Sequence, residues 1–252
     1  IRLLSIINKI NDANPSDVIP TCLAAHVTPK SFNSSEKYLE SIVKDLLPEI
    51  KEKGLSKRID IFIEDKAFSV SESLSYLSAV KNDFDITIHA NQFTSGGLKV
   101  GVDFGAVSVD HLEVISDKEI DYLSNSETTG VILPGCSLGL GIPFAPARKL
   151  LDGNCKLSIA SDWNPGSAPM GDLLLQACLL GTFEKLSNAE VLAGITVRSA
   201  EALGIKDRGI LESGKLADFI GFKTNDYREI LYNQGKLKPS FICKRGKCTI
   251  NN

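Results

Sequence analysis

Short apolar runs separated by stretches of helical periodicity set the rhythm of the chain. The runs are IPTCLAAH (19–26), IDIFIED (59–65), DITIHA (85–90), AVSVDHL (106–112), GVILPG (130–135) and LSIASD (157–162). They are rich in β-branched residues and lack strict alternation, which predicts parallel strands buried on both faces. Between them, 35–54 carries apolar residues at helical spacing and ends in Gly54, and 69–82 opens on serines suited to capping a helix. Shorter helical patterns cover 118–125 and 146–154, and the opening residues read as an amphipathic helix. From 171 to 204 the pattern is helical throughout. It then gives way to two short strand-like segments with glycine turns, 207–222 and 239–250.

Strand–helix units of about 20 to 30 residues point to a parallel α/β architecture. Polar residues able to do chemistry stand at the C-terminal end of strand after strand: His26, Glu64, His89, His111 and Asp162. In a (β/α)8 TIM barrel those ends meet on one face, whereas an open sheet gathers only those near its switch point. A barrel is therefore expected over 1–204, with 205–252 forming a small β-domain segment. Six strands are two short of a closed barrel, and the missing pair would come first. Met170 is the only methionine, so Ile1 is not a translational start. The chain is accordingly expected to lack an N-terminal part and to be inactive alone.

Composition narrows the partners. Of 252 residues, 43% are hydrophobic and 23% charged, an ordinary globular balance. A net charge of −3 points to neither nucleic acid nor an anionic membrane as partner. No apolar run reaches the roughly 18 residues of a membrane span, and the first helix has no signal-peptide centre or cleavage site. The six cysteines, at 22, 136, 155, 178, 243 and 248, form no CxxC pair. They are expected as unpaired thiols in a cytoplasmic protein, with Cys243 and Cys248 flanking a hairpin.

All three histidines end a predicted strand. His89, in ITIHANQF, suits zinc or iron as a neutral imidazole. Asn91 and Gln92 follow it on the loop. His111, in SVDHLE, is placed to polarise a carbonyl or hold an oxyanion. Its neighbours Asp110 and Glu113 either fix its tautomer or face solvent. Asp162, in SDWNPGS, could ligate a metal and take a proton from a water. The loop after it offers an amide, backbone N–H groups and a hydroxyl, which suit a carboxylate. Against each stands a plainer role: a structural histidine, or an aspartate capping a Pro-Gly turn. Glu64 reads as part of a solvated charge cluster or as a ligand-facing rim. Lys66 admits a carboxylated lysine bridging two metals, although nothing local demands it.

HANQF, VDHLE and SDWNPGS together resemble the imidazolonepropionases of the amidohydrolase superfamily, and AAHVTP, DIFIEDKAFS and EVLAGITVRSAEALG extend the resemblance almost end to end. DRGILESGKLADF is shared by many amidohydrolases and points only to the superfamily. The resemblance implies a metal-dependent hydrolase barrel with a composite β-sandwich beside it. It also implies one zinc or iron ion per chain. The substrate would be a small molecule, 4-imidazolone-5-propanoate, whose ring opens to N-formimidoyl-L-glutamate in histidine degradation. His89 and Asp162 match metal ligands. Asp162, His111 and Gln92 match catalytic positions. His26, Gln92, Asn164, Gly166 and Ser167 match substrate contacts. A homodimer is common in the superfamily. The family's His-x-His ligand pair has no counterpart among these three histidines. Cyclic deaminases of the same superfamily are the alternative, but they tend to carry glutamate where this chain has Gln92. A scaffold that has lost its metal is a further alternative.

Overall fold

The computed structural model describes residues 1–250 and divides into two compact units, Ile1–Thr128 and Thr129–Asn252. The first begins with the amphipathic helix Arg2–Ala13 and then builds four parallel strands: β1 (Thr21–Ala25), β2 (Arg58–Ile63), β3 (Asp85–Ala90) and β4 (Ser108–His111). They pair in chain order, with Asp60 opposite Thr87, Phe62 opposite His89, and Ala90 opposite His111.

Helices follow β1, β2 and β4 over the stretches whose periodicity predicts them, and a further helix, Gly97–Asp103, follows β3 where none was expected. The 35–54 stretch is helical from Ser35 to Glu52 but passes through a π-turn at Ile42–Leu46. Helices Val70–Val80 and Asp117–Ser124 each begin with a capping box, Ser69 with Glu72 and Ser116 with Glu119. Two otherwise unpaired helix N–H groups are satisfied reciprocally in each.

The strands are buried on both faces, as expected, but one row of side chains is polar. Ile59, Ile61, Ile63, Ile86, Ile88, Ala90 and Val109 form the apolar row, all at most 4% exposed. Helix Gly97–Asp103 lies against it so closely that a Cβ on Gly97 would come 2.6 Å from the Ala90 Cβ, and one on Gly101 2.6 Å from Val109. The other row carries Arg58, Asp60, Thr87, His89, Ser108 and Asp110. Period-2 alternation is therefore present in β2 to β4, and what hides it is the burial of both rows.

In the second unit, β5 (Thr129–Ile132) pairs in parallel with β6 (Leu157–Ile159). Val131, Leu133, Cys136 and Ala202 pack together beside them. The helical 171–204 stretch resolves into Leu173–Phe183, Asn188–Gly194 and Val197–Ala202. The two late segments form an antiparallel sheet of β7 (Phe219–Phe222), β8 (Pro239–Lys244) and β9 (Lys247–Ile250). Arg245 and Gly246 make the hairpin turn, both with positive φ.

Cysteine pairing departs from expectation. Cys243 and Cys248 face each other directly across the hairpin and are joined by a disulfide. The register places them side by side, a proximity that sequence spacing alone does not fix. Cys22, Cys136, Cys155 and Cys178 are buried thiols. Among the described residues, no helix is long and apolar enough to cross a membrane.

Candidate metal and active site

The first unit gathers the three histidines at its strand ends. The His89 ring centroid lies 5.3 Å from that of His26 and 5.4 Å from that of His111. Phe62 stacks on His26 at 4.8 Å, giving that imidazole a flat apolar support. His111 reaches the group by breaking the strand pattern. Its partner across the sheet, Ala90, belongs to the apolar row, so regular alternation would turn the imidazole away from His89. Positive φ at His111 (91°) and Leu112 (71°) ends the alternation there. Such backbone is uncommon outside glycine and concentrates at functional sites.

His89 is held from below. Its Nδ1 lies 2.8 Å from Asp60 Oδ1. The Thr87 hydroxyl donates to Asp60 Oδ2 at 2.7 Å. Burial alone would push the His89 imidazole down. The charge of Asp60 beside it, with Asp110 adding, outweighs burial and carries it up to about 9. One donor atom from each of His26, Asp60 and His89 lies within 4.8 Å of the other two, and two imidazoles with a carboxylate suit zinc or iron.

The neighbours of His111 divide their roles. Asp110 accepts from the Ser108 hydroxyl at 2.9 Å, and burial raises its carboxyl above the ordinary range. Glu113 Oε2 lies 3.6 Å from His111 Nδ1, with both side chains at most 5% exposed. Neither acid is a solvated surface charge.

Glu64 is buried, so it belongs to no solvated cluster. Its Oε1 accepts from the backbone N–H groups of Gln92 (2.9 Å) and Phe93 (3.0 Å), and its Oε2 from that of Thr94 (3.1 Å). The Thr94 hydroxyl donates to Oε2 as well. This carboxylate therefore sets the course of the loop that carries Gln92, itself 7% exposed. Asn91, fully buried at φ 58°, ties the same loop to the next one. Its amide donates to Val114 O and to Glu119 Oε1, both at 2.8 Å, and its Oδ1 accepts from Leu98 N at 2.9 Å. Lys66 is exposed on the turn after β2.

Asp162 lies in the second unit, on the loop after β6, at φ 50°. Asn164 is the hub of that loop. Its Oδ1 accepts from the N–H groups of Gly166 (2.8 Å) and Ser167 (2.9 Å). Its amide donates to Asp162 O (2.6 Å) and Ser167 Oγ (3.1 Å). Two helix glycines let the segment sit close. A Cβ on Gly135 would approach Ser161 O to 2.7 Å, and one on Gly139 would collide with Ser167 O at 1.7 Å. Trp163 extends into solvent, 75% exposed.

The sequence reading missed Asp60, and it missed Glu64 as a backbone acceptor. Asp60 carries the one usable signal: an acid between two isoleucines of a buried strand is costly unless something pairs it.

The chain belongs to the amidohydrolase family, whose model matches residues 69–248. It is 39% identical over 224 residues to an imidazolonepropionase of Christiangramia forsetii, covering 87% of this chain and 54% of that protein. It is 38% identical over 232 residues to one of Bdellovibrio bacteriovorus, covering 91% and 55%. The chain thus spans about half the length of the curated relatives it matches. Among solved structures, a zinc-bound adenosine deaminase from Xanthomonas campestris superposes with a TM-score of 0.72 at 17% identity, covering 98% of this chain and 64% of the other. A zinc complex of an atrazine chlorohydrolase mutant from Arthrobacter aurescens gives 0.67 at 18%, covering 93% and 61%. At such identities the likeness is one of fold.

Proposed function

We propose that this chain is part of an imidazolonepropionase, which as a full-length protein hydrolyses the cyclic amide of 4-imidazolone-5-propanoate to N-formimidoyl-L-glutamate in histidine degradation. Its parallel strands belong to a (β/α)8 barrel, and its three-stranded sheet to a β-sandwich beside it. The protein works in the cytoplasm, as a homodimer. The convergence of His26, His89 and His111 at three neighbouring strand ends carries this reading, supported by the imidazolonepropionase relatives.

His89 and Asp162 would be ligands of one zinc or iron ion, which would supply Lewis acidity and lower the pKa of the attacking water toward about 7. Asp162 accepts the proton of the attacking water. Glu113 Oε2 lies 3.6 Å from His111 Nδ1. His111 hydrogen-bonds the ring carbonyl oxygen as negative charge develops on it. Gln92, on the loop pinned by Glu64, faces the imidazolone ring, and His26 borders it. Gly166 and Ser167, on the loop organised by Asn164, hold the propanoate carboxylate. As the amide C–N bond breaks, Asp162 returns its proton to the leaving nitrogen.

The test is metal analysis and 4-imidazolone-5-propanoate turnover on the full-length protein. About one ion per chain with turnover supports the proposal. An ion without turnover sinks the substrate assignment and favours a cyclic deaminase.

A further inference from the structure

Asn91 follows β3 directly, two residues after His89, at φ 58° and fully buried. Asparagine adopts this left-handed backbone more readily than most residues. Its side-chain amide is engaged inside the protein. Nδ2 donates to Val114 O and to Glu119 Oε1, each at 2.8 Å, and Oδ1 accepts from Leu98 N at 2.9 Å. Both donor hydrogens and the oxygen thus have protein partners, and none of the amide is turned toward a ligand.

What Asn91 joins are two strand exits. The chain leaves β4 through positive φ at His111 (91°) and Leu112 (71°). Backbone of this kind persists only where its surroundings hold it. Three residues past His111, the Val114 N–H donates to Asn91 O at 2.7 Å, while Asn91 Nδ2 donates back to Val114 O. The two residues clasp each other in both directions. Glu119 steadies the clasp from the following helix. Its Oε2 completes the capping box with Ser116, and its Oε1 accepts from both the Asn91 amide and the Gly96 N–H (3.2 Å). One side of the clasp is therefore fixed to the strand that carries His89, and the other to the exit that carries His111. The two rings lie 5.4 Å apart.

We propose that Asn91 is a positioning residue for His111. Its clasp on Val114 fixes the course of the chain out of β4, and with it the place of the His111 imidazole beside His89. This rests on the reading in which His111 polarises the ring carbonyl of the substrate. Asn91 itself touches no reacting atom.

The test uses the full-length protein as wild type, Asn91→Gly, Asn91→Asp, His111→Ala, and each Asn91 variant combined with His111→Ala. Asn91→Gly tolerates the positive φ but removes the side chain of the clasp. Asn91→Asp keeps an oxygen for Leu98 N and sets a carboxylate against Val114 O and Glu119, so it opens the clasp while retaining the helix contact; it carries the test if Asn91→Gly does not fold. A misplacement of about 1 Å can cost about 100-fold in rate, so kcat on 4-imidazolone-5-propanoate should fall by about 10- to 100-fold in either variant. KM should change little, because His111 acts as charge develops in the transition state. In the His111→Ala background, neither Asn91 variant should lower kcat further. The 1H–13C resonance of the His111 ring, identified by its loss in His111→Ala, should shift in both Asn91 variants. Unchanged kcat, or an unchanged ring resonance, in the folded variants overturns the inference. So does an equal further loss on top of His111→Ala, which places the effect of Asn91 elsewhere. A wild-type protein that does not turn over 4-imidazolone-5-propanoate overturns the proposed function instead, and the ring resonance, which needs no turnover, then decides whether Asn91 places His111.

Discussion

Removing the Glu64 carboxylate should loosen the loop that presents Gln92. Three backbone N–H groups and one hydroxyl converge on this side chain, at 2.9, 3.0 and 3.1 Å for Gln92, Phe93 and Thr94. A hydrogen bond to a charged acceptor contributes about 1.5–3 kcal/mol. The three do not simply add, because Phe93 and Thr94 are open enough to recover water, whereas Gln92 is buried. Glu64→Ala should therefore cost about 2–4 kcal/mol. Glu64→Gln retains one oxygen but turns an NH2 group toward donors, and should cost about 1–3 kcal/mol. For a chain of this size, 1 kcal/mol corresponds to about 2–4 °C in Tm. Thermal unfolding followed by circular dichroism gives the magnitude. Amide hydrogen exchange gives the place, since protection should fall at residues 92–94 before it falls in the strands. An unchanged Tm with unchanged exchange at those amides would refute the claim that Glu64 sets the course of this loop.

Other outcomes follow from single contacts. Gly97→Ala puts a Cβ 2.6 Å from Ala90 and should destabilise by about 1–3 kcal/mol in urea unfolding, with partial recovery when Ala90→Gly is added. Burial pushes the Asp218 carboxyl up, but the Lys244 ammonium (2.7 Å) and the Arg245 N–H (2.7 Å) outweigh it and hold it below the usual range. A lowered folded-state pKa stabilises at pH values above the ordinary aspartate value of about 3.9, and this contribution is lost as pH falls through the lower folded-state value. Asp218→Asn should thus cost about 1–3 kcal/mol at pH 7, and its unfolding curve should merge with wild type in strong acid. His89→Ala and Asp162→Ala, each in the full-length protein, should bring metal content well below one ion per chain and abolish turnover. Full metal loading in either would remove that residue from the ligand set.

Much of this was legible in the residues. The positions of the strands, the helix-opening serines and the late hairpin follow from local preferences that act over a few residues. The three histidines were legible as candidates because each ends an apolar run. Burial of a polar row was not, since whether a side chain facing away from one helix layer meets solvent or another strand depends on the sheet around it. Glu64 illustrates this. Beside Asp65 and Lys66 it reads as surface charge, yet the chain turns immediately after β2 and leaves Glu64 buried beneath a loop about 28 residues further on. The Cys243–Cys248 bond depends in the same way on the register of β8 and β9.

What the chain determines by itself is periodicity, capping and turn chemistry, because those energies depend on neighbours one to four positions away. These place His26, His89 and His111 at strand ends and mark the family. Tertiary structure decided which atoms meet. Parallel register put Asp60 on the diagonal to His89, and a positive φ at His111 ended the alternation that would have turned its ring aside. Those outcomes depend on strands brought together across tens of residues, and no local preference encodes a distance between them.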